Sequence, residues 1–514
     1  MAEEIKKKAN TPDDDSLGGM EKFGLTLAEW SEKWFPDALV FALVGIVIVF
    51  IIGLLLGESP FKLAIEGGKA FWVLVPFTMQ MAMVIIGGYV VASSPPVYRL
   101  IRVLAGIPKT GRGAVAFVAA FSMITSLLSW GFSLIFSGLL VRELTQRVKG
   151  LDYRAAGSAA YLGLGAVWAL GLSSSAALMM ATKGAIPPKL YAISGVIPLT
   201  QTLFIWPTLL TAIILIIISI AIAYWSAPSP GRAKTAADFG IKFEQVDMTL
   251  EPRKKPGEWL EYSPLLTVLI VALLGWYLLD VFQKSPMGPL AALDLNNYNL
   301  IFIACGMLLH WRPRRFVRAV AESVPATGGV LIQFPFYAVI FGMIVGTGIT
   351  KWLADLFVSI STQGTYPLLV ALYSAILGVF IPSGGSKWVI EAPYVLQAAI
   401  QHQVSTGWVV QIYNMAEALP NLLNPFWMLP LLGMLHMKAR DLVGYSVLQL
   451  IFHIPLVFFL CWLFAKYVPF VAPVLGLCST AAHSPGNVLP FLRLTIAFNQ
   501  EQSWHRQLQI LLPL

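Results

Sequence analysis

The sequence predicts an all-α polytopic membrane protein built from two inverted-topology repeats, each with a re-entrant hairpin and a discontinuous helix. Three observations predict it. Of 514 residues, 57% are hydrophobic and only 12% charged, whereas soluble domains carry about 25% charged residues. Apolar runs recur all the way from Ala38 to Lys466, so membrane insertion does not rest on a single anchor. Several of these runs are broken in the middle by Pro, Gly, Ser or Asn, at corresponding places in the two halves.

Composition also bounds the function classes. The net charge of +8 needs no nucleic-acid partner, because most basic residues fall where cytoplasmic loops are expected. Cys305, Cys461 and Cys478 are far apart, and the six histidines (His310, His402, His436, His453, His483, His505) form no metal motif. No cofactor or resident metal is expected. Met1 to Ser16 is charged and lacks a signal-peptide core, so the N-terminus is expected in the cytoplasm.

Taken in order, residues 1–37 read as a cytoplasmic N-terminus. Phe23, Leu27, Trp30 and Trp34 share one helix face, with Glu29, Glu32 and Lys33 off it, which predicts an amphipathic interfacial helix. Residues 38–225 form membrane repeat 1. Ala38–Gly57 and Phe71–Val91 are its first spans, followed by the basic residues Arg99, Arg102, Lys109 and Arg112. Residues 114–141 are interrupted at Thr125-Ser126 and Ser129-Trp130-Gly131. Basic segments flank them on both sides, so they predict a hairpin that enters and leaves from the cytoplasm. Residues 157–182 cross outward, with a polar break at Gly171-Leu172-Ser173-Ser174-Ser175, and Ile193–Trp225 returns. Residues 226–263 hold six basic and six acidic residues with Pro and Gly, and read as a solvated cytoplasmic linker.

Residues 265–283 form a lone connecting helix that reverses the direction of entry. Repeat 2 occupies residues 299–467. Leu300–Trp311 runs inward to Arg312, Arg314, Arg315 and Arg318, and Val320–Thr350 runs outward. The latter contains Gln333 beside Pro335, and Gly342 and Gly346 in a small-xxx-small packing pattern. Residues 366–400 lie between segments poor in Lys and Arg, and predict a hairpin entering from outside. Residues 407–434 form the second broken helix, interrupted by Asn414, Glu417, Pro420, Asn421, Asn424 and Pro425; Tyr445–Phe464 is the last span. The tail, 474–514, receives no role. This parity is what an inverted repeat requires, and inverted repeats with broken helices and a midplane site characterise secondary transporters.

The most telling stretch is Gly378–Gln397. It combines a helix breaker, Pro382, with Ser383-Gly384-Gly385-Ser386-Lys387. Unpaired backbone in hydrocarbon costs several kcal/mol per group, roughly. Such a break is expected only where it lines a cavity, and half-helix N-termini there suit a small anion.

At these residues the chain resembles the short-chain fatty acid transporters, the acetoacetate uptake family, from roughly Trp34 to Phe464. Pro382-Ser383-Gly384-Gly385 with Trp388-Val389-Ile390 and Pro393 carries the resemblance best. Asn424-Pro425-Phe426-Trp427, preceded by Glu417 and Asn421, adds to it, as do Val91–Val97, Trp130-Gly131-Phe132 with Arg142-Glu143, and Leu331–Ala338. The chain departs from the family's usual pattern at Ser386 (a third glycine), Glu391 (a glutamine), Ser129 (an asparagine) and Lys387 (usually uncharged). The resemblance implies a fold like the ion transporter superfamily, a scaffold beside a moving transport domain, a homodimer, and a bacterial inner membrane.

The candidate substrate site comprises Ser383, Gly384, Gly385, Ser386, Lys387, Trp388, Asn421 and Asn424, with Ser129, Trp130, Gly131, Ser173 and Ser174 as pseudo-symmetric counterparts. Phe334, Phe336 and Trp388 are expected as apolar walls for a short tail. Lys387, Glu391 and Glu417 are the candidate coupling groups. Lys387 and Glu391 are four apart and close enough to pair: they form either a self-neutralising pair or a site where the ammonium stands in for Na⁺. Na⁺ and H⁺ are the coupling ions considered. The expected partners are a small carboxylate and membrane lipid. An intramembrane enzyme is disfavoured, since no nucleophile–His–acid set recurs at helical spacing. A carrier for another small organic anion, or an anion channel, remains the alternative.

Overall fold

The computed structural model describes residues 38–473 except 242–249, 251, 286–291, 382 and 425. The expected interfacial helix around residues 23–34, the tail, Pro382 and Pro425 lie outside the described residues. Among those residues every regular element is helical. The first half runs α1 (Ala38–Leu55), α2 (Pro60–Ala70), α3 (Val75–Ala92), α4 (Pro95–Leu104), α5 (Gly111–Leu128), α6 (Trp130–Thr145), α7 (Tyr153–Leu162), α8 (Ser175–Ala181), α9 (Pro188–Ser194) and α10 (Trp206–Ser226). Between α7 and α8 lie a π-helical turn (Gly163–Val167) and a 3₁₀ turn (Trp168–Leu170). Next come the short α11 (Trp259–Tyr262) and the connecting helix α12 (Leu265–Lys284). The second half runs α13 (Leu295–His310), α14 (Pro313–Ser323), α15 (Gly328–Gly346), α16 (Ile349–Ser359), α17 (Tyr366–Phe380), α18 (Gly384–Gln401), α19 (Thr406–Ala418), α20 (Leu429–Leu435) and α21 (Ala439–Ala465). Among the described residues, seven helical segments are long and apolar enough to cross a membrane.

Three spans start later than hydropathy places them, and proline is the reason. Phe71–Val91 is a turn before it is α3, whose first turn contains Pro76. Ile193–Trp225 begins with the end of α9, closed by Gly195 at φ 62°; the long helix starts only at Trp206, with Pro207 in its first turn. Val320–Thr350 begins with the last turn of amphipathic α14 and a 3₁₀ turn holding Pro325. Proline has a fixed φ and no N–H, so it opens helices well and continues them badly. Conversely, the span expected from Leu300 begins at Leu295, because the Asp294 carboxylate accepts the Asn297 N–H at 2.9 Å and caps it.

The linker is not solvated throughout. Its first part is docked on the body: Arg112 Nε donates to the Ala227 carbonyl at 2.9 Å, and Lys234 N–H donates to Asp152 Oδ2 at 3.0 Å. The same Asp152 caps α7 through the amides of Arg154 and Ala155. Ala227 and Ala236 are buried there. A charge count cannot see that one aspartate serves two segments.

The two halves present the same series of elements and exchange them reciprocally. α3 packs on α13 and α14, while α15 packs on α1 and α2. α6 packs on α3 and α4; α18 packs on α15 and α16. α5 lies against α7 and α10; α17 lies against α19 and α21. The Gly342-xxx-Gly346 pattern does close packing: Cβ atoms there would fall 2.3 Å from Ala70 Cβ and 2.6 Å from Glu66 Cβ. α12 has a single buried residue, Thr267, and meets the body along α13.

Gly171 shows what close approach demands. A Cβ there would stand 2.5 Å from the Leu127 Cα, and backbone cannot yield as a side-chain tip can. Gly171→Ala is expected to destabilise the protein by about 1–3 kcal/mol, read as a lower melting temperature in detergent. Gly68→Ala, where nothing lies within 4 Å, should be neutral or slightly stabilising.

Candidate functional site

Two helical hairpins and two broken helices build the centre of the molecule. α5 and α6 meet at Ser129, extended at φ −159°, whose Oγ accepts the Phe132 N–H at 3.3 Å. Hydroxyls tie this hairpin to the first broken helix. The Trp130 N–H donates to Ser173 Oγ at 2.9 Å, Gly163 N–H to Ser122 Oγ at 2.6 Å, and Ser126 Oγ to the Gly163 carbonyl at 2.8 Å. The second hairpin breaks before Ser383, extended at φ −147°, and Ser386 Oγ donates to Ser383 Oγ at 2.6 Å. Tyr413 Oη on α19 donates to the Gly384 carbonyl at 2.8 Å, so this tip too is held by its own broken helix.

A cavity lies where the two halves meet. Its walls pair up across the repeat. Met81 and Ile85 on α3 match Val330 and Phe334 on α15, each pair four residues apart. Leu164, Trp168 and Ser175 from the first broken helix face Asn421 and Trp427 from the second. Trp130 at one hairpin tip answers Ser383, Gly384 and Gly385 at the other. The Trp130 and Trp427 rings meet edge to face at 5.4 Å. Measured for the centre of a water-sized sphere, the cavity holds about 30 Å³. That is room for roughly two waters, so a carboxylate with a hydrocarbon tail enters only when the walls separate.

Its polar groups are few and concentrated. Gly384 and Gly385 are the first residues of an 18-residue helix, so their amides have no intrahelical acceptor and sit at the positive end of the helix dipole. A side chain would be crowded at both, most of all at Gly384. A Cβ on Gly384 would fall 2.5 Å from the Trp168 ring and 3.2 Å from Glu417 Oε2; one on Gly385 would fall 3.0 Å from the Phe77 ring. Asn421 Oδ1, Trp168 Nε1 and Glu417 Oε2 are buried and have no hydrogen-bond partner among the described residues.

Lys387 and Glu391 point away from this cavity. Both are fully buried, and Lys387 Nζ donates to Glu391 Oε1 at 3.0 Å and to the Ser374 carbonyl at 2.8 Å. Ser374 Oγ donates to Glu391 Oε2 at 2.6 Å. The ammonium also lies 4.3 Å from the centre of the Tyr413 ring. Every charge of the pair is therefore hydrogen-bonded, and the pair staples α18 to α17.

The structure thus brings together part of the expected set. Ser383, Gly384, Gly385, Asn421, Trp130 and Phe334 line the cavity, with Glu417 beside it. Lys387 does not: its partners are Glu391 and Ser374. Trp388 and Phe336 are not among the cavity walls: Trp388 meets Tyr413 at a tilt, 4.7 Å between ring centres, and Phe336 meets Phe71 edge to face at 5.6 Å. Ser129, Ser173 and Ser174 cap helices and hold the hairpin, and Gly131 faces the α3 backbone. Ser386 bonds Ser383, and Asn424 lies off the wall. Met81, Ile85, Leu164, Trp168 and Val330 were not legible as site residues; the matched i, i+4 pairs on α3 and α15 are the one local signal of them. His453 pairs with Ser219 Oγ at 2.9 Å.

The buried pair makes a thermodynamic prediction. Lys387→Met or Glu391→Gln alone leaves one buried charge uncompensated and is expected to cost about 3–5 kcal/mol. The double variant should recover most of that loss. Thermal unfolding of the purified variants checks it; equal stability of single and double variants would refute the pairing.

A family model described as "Short chain fatty acid transporter" matches residues 19–464. An Escherichia coli K12 protein named "Putative short-chain fatty acid transporter" is 33% identical over 439 residues, 85% of this chain and 97% of that protein. A Haemophilus influenzae protein of the same name is 32% identical over 430 residues, 82% of this chain and 95% of its own length. Two solved structures share the fold. The Alcanivorax borkumensis YdaH transporter, described as having an unusual topology, superposes with a TM-score of 0.53 at 14% identity, covering 84% of this chain and 98% of its own. Neisseria gonorrhoeae MtrF, from a class of antimetabolite efflux pumps, gives 0.52 at 13%, covering 84% and 97%. With a paired cavity at the meeting of two helical repeats and a family match across nearly the whole chain, this membrane protein belongs to the short-chain fatty acid transporter family.

Proposed function

We propose that the protein is a secondary carrier of short-chain monocarboxylates, acetoacetate and butyrate among them, working by alternating access as a homodimer in a bacterial inner membrane. One observation carries this reading: a cavity between the repeats joins the first amides of α18 and Asn421 to apolar walls. Amides at a helix N-terminus suit a carboxylate, and Phe334, Trp130 and Trp427 suit a short tail. Both hairpins are read as re-entrant, from opposite faces. Separation of their tips on either side alternately opens the narrow cavity, as an elevator or rocking movement of the hairpins and broken helices would do.

Glu417 is the proposed coupling group. Its Oε2 stands 3.2 Å from where a Gly384 Cβ would be. Ionised, it repels a carboxylate held at Gly384 and Gly385; protonated, it does not. The other charges nearby, Lys387 and Glu391, neutralise each other. A proton therefore travels with the substrate, and in this reading Na⁺ is not required because the Lys387–Glu391 pair leaves no net charge for it to balance.

Uptake of labelled acetoacetate and butyrate into proteoliposomes, with Na⁺ and pH gradients imposed independently, tests both statements. Accumulation should follow an inward proton gradient and ignore Na⁺. Uptake of no small carboxylate would end the substrate assignment, and equilibration without accumulation would favour a channel. Glu417→Gln is expected to keep substrate exchange and lose proton-driven accumulation. Gly384→Ala, which drives a methyl into Trp168, should slow uptake about tenfold or more.

A further inference from the structure

Among the described residues, two buried polar atoms without a hydrogen-bond partner belong to walls of the cavity: Trp168 Nε1 and Asn421 Oδ1. Both residues are almost wholly enclosed, Trp168 at 7% exposure and Asn421 at 2%. A buried polar group left unpaired is destabilising, and such groups are normally completed by some partner. The indole N–H can only donate, and an amide oxygen can only accept. The two together call for one group that accepts and donates at once.

Their placement ties both to the amides of α18. Trp168 directly follows the π-helical turn Gly163–Val167, and the edge of its ring covers Gly384. A Cβ on Gly384 would fall 2.5 Å from Trp168 Cη2 and 2.9 Å from Cζ2, and the indole N–H is two covalent bonds from Cζ2. Glu417 Oε2 stands 3.2 Å from the same point, yet it too is unpartnered among the described residues, so the indole does not donate to it. Asn421 lies in the 3₁₀ turn Leu419–Leu422 that follows α19. This turn packs on the π-helical turn, and a Cβ on Gly165 would stand 2.8 Å from Leu422 Cδ2. Donor and acceptor thus come one from each broken helix, in a cavity that also holds Gly384 and Gly385.

We propose that Trp168 and Asn421 read an oxygen on the third carbon of the substrate, and that the preferred ligand class is the 3-hydroxy monocarboxylates. With the carboxylate on the Gly384 and Gly385 amides, the hydroxyl accepts from Trp168 Nε1 and donates to Asn421 Oδ1. A 3-oxo acid such as acetoacetate accepts from the indole but has no proton to give Asn421. Butyrate satisfies neither atom. The assignment rests on the carboxylate-carrier reading for the position of the carboxylate. A site built to hydrogen-bond a substrate hydroxyl discriminates against the analogue that lacks it, because the site's own buried groups are then left unpaired. All three acids need the walls to separate, so the difference between them lies in affinity rather than in entry.

The test is competition of unlabelled 3-hydroxybutyrate, acetoacetate and butyrate against labelled butyrate, at equilibrium on the purified full chain in detergent. In the wild type 3-hydroxybutyrate should half-saturate at the lowest concentration, acetoacetate next and butyrate last, with about tenfold or more between first and last. Trp168→Phe keeps an aromatic ring and removes the N–H. It should shrink the advantage of both oxygenated acids over butyrate about fivefold or more. Asn421→Leu should shrink the advantage of 3-hydroxybutyrate over acetoacetate. Each comparison is a ratio within one variant, so a partly inactive preparation does not move it, and the wild-type ranking is a test even where a variant fails to fold. A wild type that binds 3-hydroxybutyrate no better than butyrate or acetoacetate overturns the proposal, as do ratios indifferent to both substitutions. Binding of none of the three overturns it together with the carrier reading. Failure of the carrier reading alone looks different: the wild type binds the three in this order yet moves none of them into proteoliposomes.

Discussion

Four interruptions of helical backbone inside an apolar body govern the rest of this structure. Each frees amides and carbonyls that have no water to turn to, and each unsatisfied group costs several kcal/mol, roughly. The protein answers with hydroxyls. In the first half Ser122, Ser126 and Ser173 bond the π-helical turn and the hairpin tip; in the second, Tyr413 bonds the Gly384 carbonyl. Ser173, which looks like a ligand in the sequence, is therefore a fastener. Serines in the first half and Tyr413 in the second fix each hairpin to its own broken helix, and that leaves the tips to form a site with the opposite half.

Lys387 and Glu391 belong to the same logic. Two charges in an apolar interior are tolerable when they pair and each is hydrogen-bonded. Here Ser374 contributes both its carbonyl, to the ammonium, and its hydroxyl, to the carboxylate. The pair links the two arms of the second hairpin, α17 and α18, by hydrogen bonds. Glu417 on the neighbouring α19 has no such partner for Oε2 among the described residues, so the two buried carboxylates of this half differ in their surroundings.

Symmetry between the halves is close in architecture and loose in chemistry. α3 and α15 present matched i, i+4 pairs to the cavity. The hairpin tips do not match: one offers the bulk of Trp130, the other two glycines with free amides. The cavity thus has backbone donors on one side and aromatic rings on the other. The glycines are set by the partner half, since Trp168 and Phe77 occupy the space their side chains would need.

Local patterns determined a good deal. Hydropathy established a polytopic helical protein, polar breaks located both hairpins and both discontinuous helices, and spacing of four correctly paired Lys387 with Glu391. Prolines were present in the sequence, yet window hydropathy averages over them, so three span starts were placed too early. The cavity wall was decided by tertiary structure alone. Met81, Trp168 and Val330 are ordinary apolar residues whose role comes from contacts across more than a hundred positions, and no local period encodes such contacts. The same is true of direction: the sequence shows that Lys387 is charged and that Ser173 is polar, but only packing decides that the first faces Ser374 and the second the Trp130 amide. A polar group in an apolar body goes to whichever partner the fold brings within about 3 Å, and that partner is chosen by the whole chain.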